Sequence, residues 1–327
     1  MPSRRRFLLG SSILCAVPLA AMAQDRGKIH LVGCVPGGLM APREHQWAAF
    51  RRGLRELGYV EGRNVKLEFR IPQVEGIAGD KLVAELLALK VDVIVLSTAF
   101  HAHAAKRITQ TVPIVMTGVT DPVAAGLISN LARPEGNLTG VSLLSADLSG
   151  KRFEVLRELL PQSKRIAVLW NPNDASGAPQ LKAVQNAARG AGVEIISLEA
   201  RAAGDLAAVF ETAAKQRAEG LIVASSGLFY GLRDPVMELL RNAKLPAIWP
   251  WGSFGGFGAL LVYGASDTEN YRRAAAFVDR ILRGAKPRDL PIEQATNVEF
   301  VINLKTAKAL GLTMPPSFRL RATQVFE

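Results

Sequence analysis

The sequence predicts an α/β protein made of two Rossmann-like lobes, each a parallel sheet covered by helices. Three observations predict it. After Arg26, short runs rich in Val, Ile and Leu alternate with amphipathic helical stretches, the pattern of repeated β-α-β units. The plan runs once to about Ser142 and then starts again, with Thr111-Val-Pro113-Ile and Lys244-Leu-Pro246-Ala in corresponding places. A length of 327 residues is ample for two ordinary domains.

In the first half, Lys28–Val35 reads as a strand and Arg43–Leu57 as a helix with Trp47, Phe50 and Leu54 on one face. Strand Val65–Ile71, helix Ile77–Leu89, strand Val91–Ser97 and a helix from about His101 follow. Pro113-Ile-Val-Met116 is an apolar, buried strand that ends in Thr117-Gly-Val-Thr120-Asp121-Pro122. Asp121 suits a helix N-cap and Pro122 the first turn, where a missing N–H costs nothing. A short apolar helix is expected there, stopped by Arg133-Pro134-Glu135-Gly136, before strand Leu138–Ser142.

The second half reads as helix Lys151–Leu160, strand Arg165–Asn171, helix Pro179–Ala191, strand Val193–Leu198 and helix Leu206–Arg217. Strand Gly220–Ser225, helix Asp234–Asn242 and strand Leu245–Trp251 complete it. The tail then supplies strand Ala259–Gly264 and a helix capped by Asp267 and ended by Gly284, with Pro287 close behind. Strand Val298–Asn303 and a helix to Leu310 close the reading. Two strands beyond a complete second lobe are best used as crossings between lobes.

The first residues have the grammar of a targeting segment. Arg4, Arg5 and Arg6 precede Phe7-Leu8 as in a twin-arginine export signal, although Leu9 stands where a Lys is usual, so the general secretory route stays open. Leu8–Ala20 is the apolar region, too short and too broken by Gly10, Ser11 and Ser12 for a comfortable span. Ala21-Met-Ala23 offers a cleavage pattern that makes Gln24 the mature start, so residues 1–23 are set apart as the leader. Cys15 lies in the apolar region behind Leu14 and reads as an ordinary leader residue rather than a lipid site. Cys34 is then the one mature thiol, so no intramolecular disulfide is expected, and a buried apolar role suits it. Without the leader arginines, 37 basic residues face 29 acidic ones, scattered without blocks or basic helices carrying aromatics. That pattern favours solvated surface charge over nucleic-acid binding.

Several segments resemble one family. The run from Pro113 to Ser142, with Thr120-Asp121-Pro122-Val123, Gly126-Leu127 and Leu131-Ala-Arg-Pro134-Glu-Gly-Asn137-Leu-Thr-Gly140, is similar to the ABC-transporter substrate-binding proteins of the tryptophan/tyrosine-uptake type. Gly58-Tyr-Val-Glu-Gly-Arg-Asn64, Arg280-Ile-Leu-Arg-Gly-Ala-Lys-Pro287, Asp289-Leu-Pro291 and Ile302-Asn-Leu-Lys-Thr-Ala-Lys-Ala-Leu-Gly-Leu312 extend the resemblance in family order over nearly the whole chain after the leader. It implies a type I periplasmic binding fold with no chemistry of its own: an amino-acid-like ligand, an aromatic one among the options, held between the lobes, and an ABC permease in the inner membrane as partner. It also implies a first lobe of residues 24–143 plus 263–292 and a second of 144–262 plus 293–327. Three crossings near Ser142, Val262 and Asn297 would form the hinge, with Tyr263 at the second of them placed to close over a ligand or to pack. The reading calls for a monomer in solution, located in the periplasm, with no metal and no cofactor.

In an open parallel sheet, ligands bind beyond the carboxyl ends of the strands. Ser97, Thr98 and Ala99 end the third strand, where hydroxyls and helix-start amides suit a ligand carboxylate. The plainer role is that Ser97 or Thr98 caps its own helix, and the resemblance, in which this loop touches ligand, tips the reading towards contact. Thr120 and Asp121 follow the next strand, Asp121 either as a cap or as partner to a ligand ammonium, since a carboxylate has two oxygens. Together the two loops suggest a zwitterion clamp. From the second lobe, Asn171, Ser225 and Ser226 are polar candidates, while Trp249 and Trp251 could face a flat ligand or pack the rim. Gly37 and Gly38 could admit a ligand to the backbone or simply turn the chain.

Enzyme signals are weak. His101 and His103 are two apart and would diverge on a helix, and His30 and His45 have no ligating cluster around them in sequence. Gly252-Ser-Phe-Gly255-Gly256-Phe-Gly258 lacks nucleotide-binding spacing, and neither a Walker loop nor a G-x-S-x-G elbow occurs. A ligand-responsive repressor of the same fold would carry a helix-turn-helix where this chain has a leader. A periplasmic sensor of the same fold and a periplasmic α/β enzyme are the remaining alternatives.

Overall fold

Five strands open the chain: β1 (His30–Val35), β2 (Val65–Phe69), β3 (Val93–Leu96), β4 (Ile114–Val119) and β5 (Leu138–Ser142). The computed structural model describes residues 28–38, 40, 43–72, 79–143 and 145–327, so the leader, Cys15, the cleavage point and Ile77 lie outside the described residues. With β11 (Glu293–Gln294) these strands form one six-stranded sheet in the order β11-β5-β4-β3-β1-β2, parallel throughout. β3 is buried at every residue because helices cover both faces. On one face lie α1 (Glu44–Glu56) and α9 (Asp267–Leu282), burying Trp47, Phe50, Tyr271 and Phe277. On the other lie α2 (Gly79–Ala88) and α3 (Ala99–Ile108), burying Val83, Leu86, Ala102 and Ala105.

The second sheet takes β6 (Arg165–Trp170), β7 (Glu194–Glu199), β8 (Gly220–Val223), β9 (Ala247–Trp249), β10 (Leu261–Ala265), β12 (Val298–Asn303) and β13 (Gln324–Phe326), in the order β13-β12-β10-β9-β8-β6-β7. It is parallel except that β12 runs antiparallel to β10, a departure from the wholly parallel sheets expected. The reason is connectivity: β12 returns from the first lobe and enters the sheet from the hinge end. Around this sheet pack α4 (Ser145–Leu159), α5 (Gly177–Ala188), α6 (Leu206–Lys215), α7 (Gly227–Gly231), α8 (Arg233–Ala243), α10 (Leu304–Ala309) and α11 (Pro316–Arg321). The short α7, α11, β11 and β13 carry too few periodic residues to announce themselves in the sequence.

The chain passes between sheets after Ser142, after Ala265 and between Gln294 and Val298. Val262 and Tyr263, expected at a crossing, instead lie inside β10, where they pair with Val301 and Phe300 of β12. The crossing itself falls at Ser266. Buried Arg152 of α4 donates from Nε to the Tyr263 carbonyl at 2.8 Å, tying this strand to the second lobe.

Two local expectations change. After Asp121 the chain makes hydrogen-bonded turns rather than an α-helix, because Gly126 adopts φ +67° and ends the winding after one turn. The cap of α9 is Ser266, whose hydroxyl accepts from the Glu269 amide at 3.4 Å, so Asp267 is its first helical residue and its carboxylate is not spent as a cap.

Gly140, within β5, is required by its surroundings. It has φ +129°, and a Cβ there would stand 2.3 Å from the Met116 carbonyl oxygen on the neighbouring strand. Gly140→Ala is expected to cost on the order of 3 kcal/mol, since a backbone atom cannot move aside as a side chain does. A chemical-denaturation midpoint equal to that of the wild type would contradict this.

Candidate functional site

The carboxyl ends of both sheets face one another across a cavity with about 720 Å3 of atom-free space, part of it open to solvent. The first lobe contributes the loops after β1, β3 and β4. Thr98 is the N-cap of α3, its hydroxyl accepting from the His101 amide at 3.2 Å and lying 2.7 Å from His101 Nδ1. Its neighbours Ser97 and Ala99 line the cavity with it. Gly37 closes in from β1, and a Cβ on it would meet Thr98 Cγ2 at 2.8 Å, so glycine lets the two loops touch. Thr120 and Asp121 line the cavity as well, and Asp121 Oδ1 accepts from the amides of Val123 (3.1 Å) and Ala124 (2.9 Å).

From the second lobe come Ser225, Ser226 and Gly227 beyond β8, Tyr230 on α7, and Trp251 beyond β9. Ser225 is fixed by Gln180, whose side-chain oxygen accepts from the Ser225 amide (2.7 Å) and whose Nε2 donates to the Ser225 carbonyl (2.9 Å). Asp174 and Ser176 follow β6 into the same cavity, the Ser176 hydroxyl donating to Asp174 Oδ1 at 2.7 Å.

Three residues singled out in the sequence do not line the cavity. Trp249, at the end of β9, is 1 % exposed and packs in the second-lobe core against Phe254. Asn171 turns its side chain back, Oδ1 accepting from the Asn173 amide at 2.9 Å. Gly38 is buried one residue past the Gly37 contact.

Among the cavity residues not foreseen are Arg43 and Gln46, the N-cap and third residue of α1, and Asp267, Asn270 and Tyr271 on α9. Their spacings, i and i+3 on α1 and i, i+3 and i+4 on α9, place each set on one helix face. A polar residue breaking an apolar helical face was the available signal, since Gln46 adjoins Trp47 and Asn270 adjoins Tyr271.

Asp267 is where the lobes meet. Its Oδ2 accepts from the hydroxyls of Tyr230 (3.1 Å) and Ser253 (2.8 Å) of the second lobe and from Gln46 Nε2 (3.1 Å) of the first. His45 Nε2 lies 3.3 Å from the same oxygen and 3.1 Å from the Tyr230 hydroxyl. Arg43 adds a second link, donating from Nη2 to the Gly227 carbonyl at 3.3 Å while its guanidinium lies 4.8 Å from the Tyr230 ring centre. Burial would raise the Asp267 pKa, but hydrogen bonds from His45, Ser253 and Tyr230, with the His45 charge, hold it below the usual carboxylate value. Burial and the nearby Asp267 charge push the Tyr230 phenol well up, so it stays a donor. Behind Thr98, burial and then Arg43 lower His101 to about 4, which keeps it neutral at physiological pH.

Among the described residues no three metal-ligating side chains come together, and no helix is long and apolar enough to cross a membrane. His103 bonds the Ala125 carbonyl at 2.7 Å, away from His101.

Two α/β lobes, crossed three times by the chain and facing each other over one cavity, define a type I periplasmic binding fold. The chain belongs to the ABC transporter substrate binding protein family, whose model matches residues 42–326. It is 27 % identical over 264 residues to a tyrosine-binding protein of Clostridioides difficile (strain R20291), a match covering 80 % of this chain and 75 % of that one. A conserved domain protein from Vibrio cholerae is similar at a TM-score of 0.85 and 26 % identity, covering 91 % of this chain and 100 % of that one. The ABC domain from Streptococcus pneumonia in complex with L-Trp gives a TM-score of 0.84 at 23 % identity, covering 91 % and 99 % of the two chains.

Proposed function

We propose that this protein is the exported solute receptor of an ABC importer, capturing an amino-acid-like ligand with an aromatic side chain and presenting it to a permease in the inner membrane. One observation carries the reading. A single cavity, lined by both lobes, combines helix-start amides and hydroxyls at Thr98 and Ala99, a guanidinium, three carboxylates, and the rings of Tyr230, Trp251 and Tyr271. The α3 amides and Arg43 suit a ligand carboxylate, a carboxylate of the cavity suits its ammonium, and the rings suit a flat side chain. The tyrosine-binding relative and the similar structure in complex with L-Trp fit the same chemistry. The twin-arginine-like leader before Gln24 supports export to the periplasm.

Mechanistically, the ligand shifts an open–closed equilibrium by binding the closed form better, because only there do both lobes touch it. The three crossings let the lobes rotate without breaking either sheet. The sites named from the sequence then divide by lobe: Ser97, Thr98, Ala99, Thr120 and Asp121 hold the ligand first, and Ser225, Ser226 and Trp251 close over it.

Thermal-shift and calorimetric titration of the mature protein with L-tyrosine, L-tryptophan, L-phenylalanine, L-leucine, L-glutamate and D-glucose tests the reading. An aromatic amino acid at a hundredfold excess over its Kd should stabilise the protein by about 2.7 kcal/mol. Preference for glucose or glutamate would refute the ligand class.

A further inference from the structure

The paired helices α1 and α9 form a floor under the first-lobe side of the cavity, and polar atoms on that floor are left without partners. Gln46 is 5 % exposed and Asn270 3 % exposed, and both line the cavity. Gln46 donates through Nε2 to Asp267, which leaves its Oε1 as a buried acceptor with no donor. Asn270 Nδ2 is a buried donor with no acceptor. Buried polar groups are rarely left so, because each orphan costs roughly 1–3 kcal/mol. On Asp267, these hydrogen bonds all fall on Oδ2, which leaves Oδ1 as a further acceptor of a residue that lines the same cavity.

We infer that this floor is the head-group subsite of the cavity: Gln46 Oε1 and Asp267 Oδ1 accept from a primary ammonium, and Asn270 Nδ2 donates to the adjoining carboxylate. The inference rests on the reading of the cavity as an amino-acid site. It moves the ammonium partner away from Asp121, whose Oδ1 already serves two turn amides. An ammonium offers three donors in a tetrahedral spread, and a carboxamide oxygen with a carboxylate oxygen takes two of them, one acceptor being charged. Asn270 then serves the ligand carboxylate together with the α3 amides, which line the same cavity. Lock-in of the amide orientations follows: Gln46 must turn its nitrogen to Asp267 and its oxygen to the ligand, so it accepts an amine and rejects a second acceptor at that place.

The test is calorimetry with three probes on three proteins. The probes are L-tyrosine, its deaminated form 3-(4-hydroxyphenyl)propionate, and its decarboxylated form tyramine. The proteins are wild type, Gln46→Met and Asn270→Leu, each first checked for a cooperative melt. Gln46→Met is expected to weaken L-tyrosine and tyramine by roughly 10- to 100-fold and to leave the deaminated acid within about threefold. Asn270→Leu is expected to weaken L-tyrosine and the deaminated acid while sparing tyramine. Gln46→Met that binds all three probes like wild type, or weakens all three equally, overturns the subsite while leaving the amino-acid reading intact. A wild-type protein that binds neither L-tyrosine nor L-tryptophan removes the reading itself, and the subsite with it. Should Gln46→Met fail to melt cooperatively, Gln46→Leu is used in its place with the same expectations.

Discussion

Replacing Asp267 with alanine is expected to weaken capture by roughly two to three orders of magnitude. The carboxylate accepts from Tyr230 and Ser253 of one lobe and from Gln46 and His45 of the other, all on one oxygen. Tyr230 is 3 % exposed with the lobes in contact as they are here, so its hydroxyl would be stranded, whereas with the lobes apart water could serve it. The variant therefore penalises the closed state, by about 3–4 kcal/mol when two or more donors lose their partner. Apparent affinity falls by the same free energy, because a ligand binding the closed form must first populate it. Tyr230→Phe removes one second-lobe donor and should cost about tenfold. Small-angle scattering of each protein at saturating ligand separates a closure defect from a contact defect. A variant that still compacts fully on binding would show that Asp267 does not latch the lobes.

The same carboxylate sets a pH dependence. Its folded-state pKa lies below the ordinary value, burial being outweighed by its hydrogen-bond donors and His45. A depressed carboxylate contributes stability that is fully present above the unfolded pKa and lost as pH falls through the folded one. The Asp267 contribution to folding stability should hold constant from neutrality down to about pH 4 and fall below that, read as the acid limb of the melting temperature against pH. Asp267→Asn should flatten that acid limb.

Much of this was legible in the sequence because strands in such lobes end in polar loops that the fold brings together. Ser97, Thr98, Thr120 and Ser225 could be picked out without coordinates, since each follows a run of buried Val, Ile or Leu. The helix floor was hidden for a different reason. Gln46 and Asp267 stand 221 residues apart and meet because α9, reached only after the second lobe has run from β6 to β10, returns to pack beside α1. Local pattern assigns Asp267 to capping its helix, and Ser266 takes that role instead. The tryptophans show the limit of strand-end reasoning. Trp249 and Trp251 are two apart at the same strand end, yet Trp249 is spent in the core while Trp251, just beyond the strand, reaches the cavity. Alternation gives both the same face and cannot say which one the glycine-rich segment 252–258 will cover.

Trp47 links the first-lobe core to the cavity, and Trp47→Ala is expected to lower stability by about 3–5 kcal/mol. The side chain is fully buried and meets Phe50, Phe69 and Tyr271 edge-on at centroid distances of 5.6, 5.0 and 5.2 Å. Removing it empties the contact between α1, β2 and α9, which relaxes only in part. For a protein of this size the melting temperature should drop by roughly 6–20 °C. Trp47→Phe behaves differently. The indole nitrogen is buried with no hydrogen-bond partner, so phenylalanine removes an orphan donor along with some volume. The two effects oppose, and the net cost should stay below about 1.5 kcal/mol. Because Tyr271 lines the cavity and leans on this indole, ligand affinity should follow stability in the alanine variant and stay near wild type in the phenylalanine one. Equal losses in the two variants would contradict an orphan donor at the indole nitrogen.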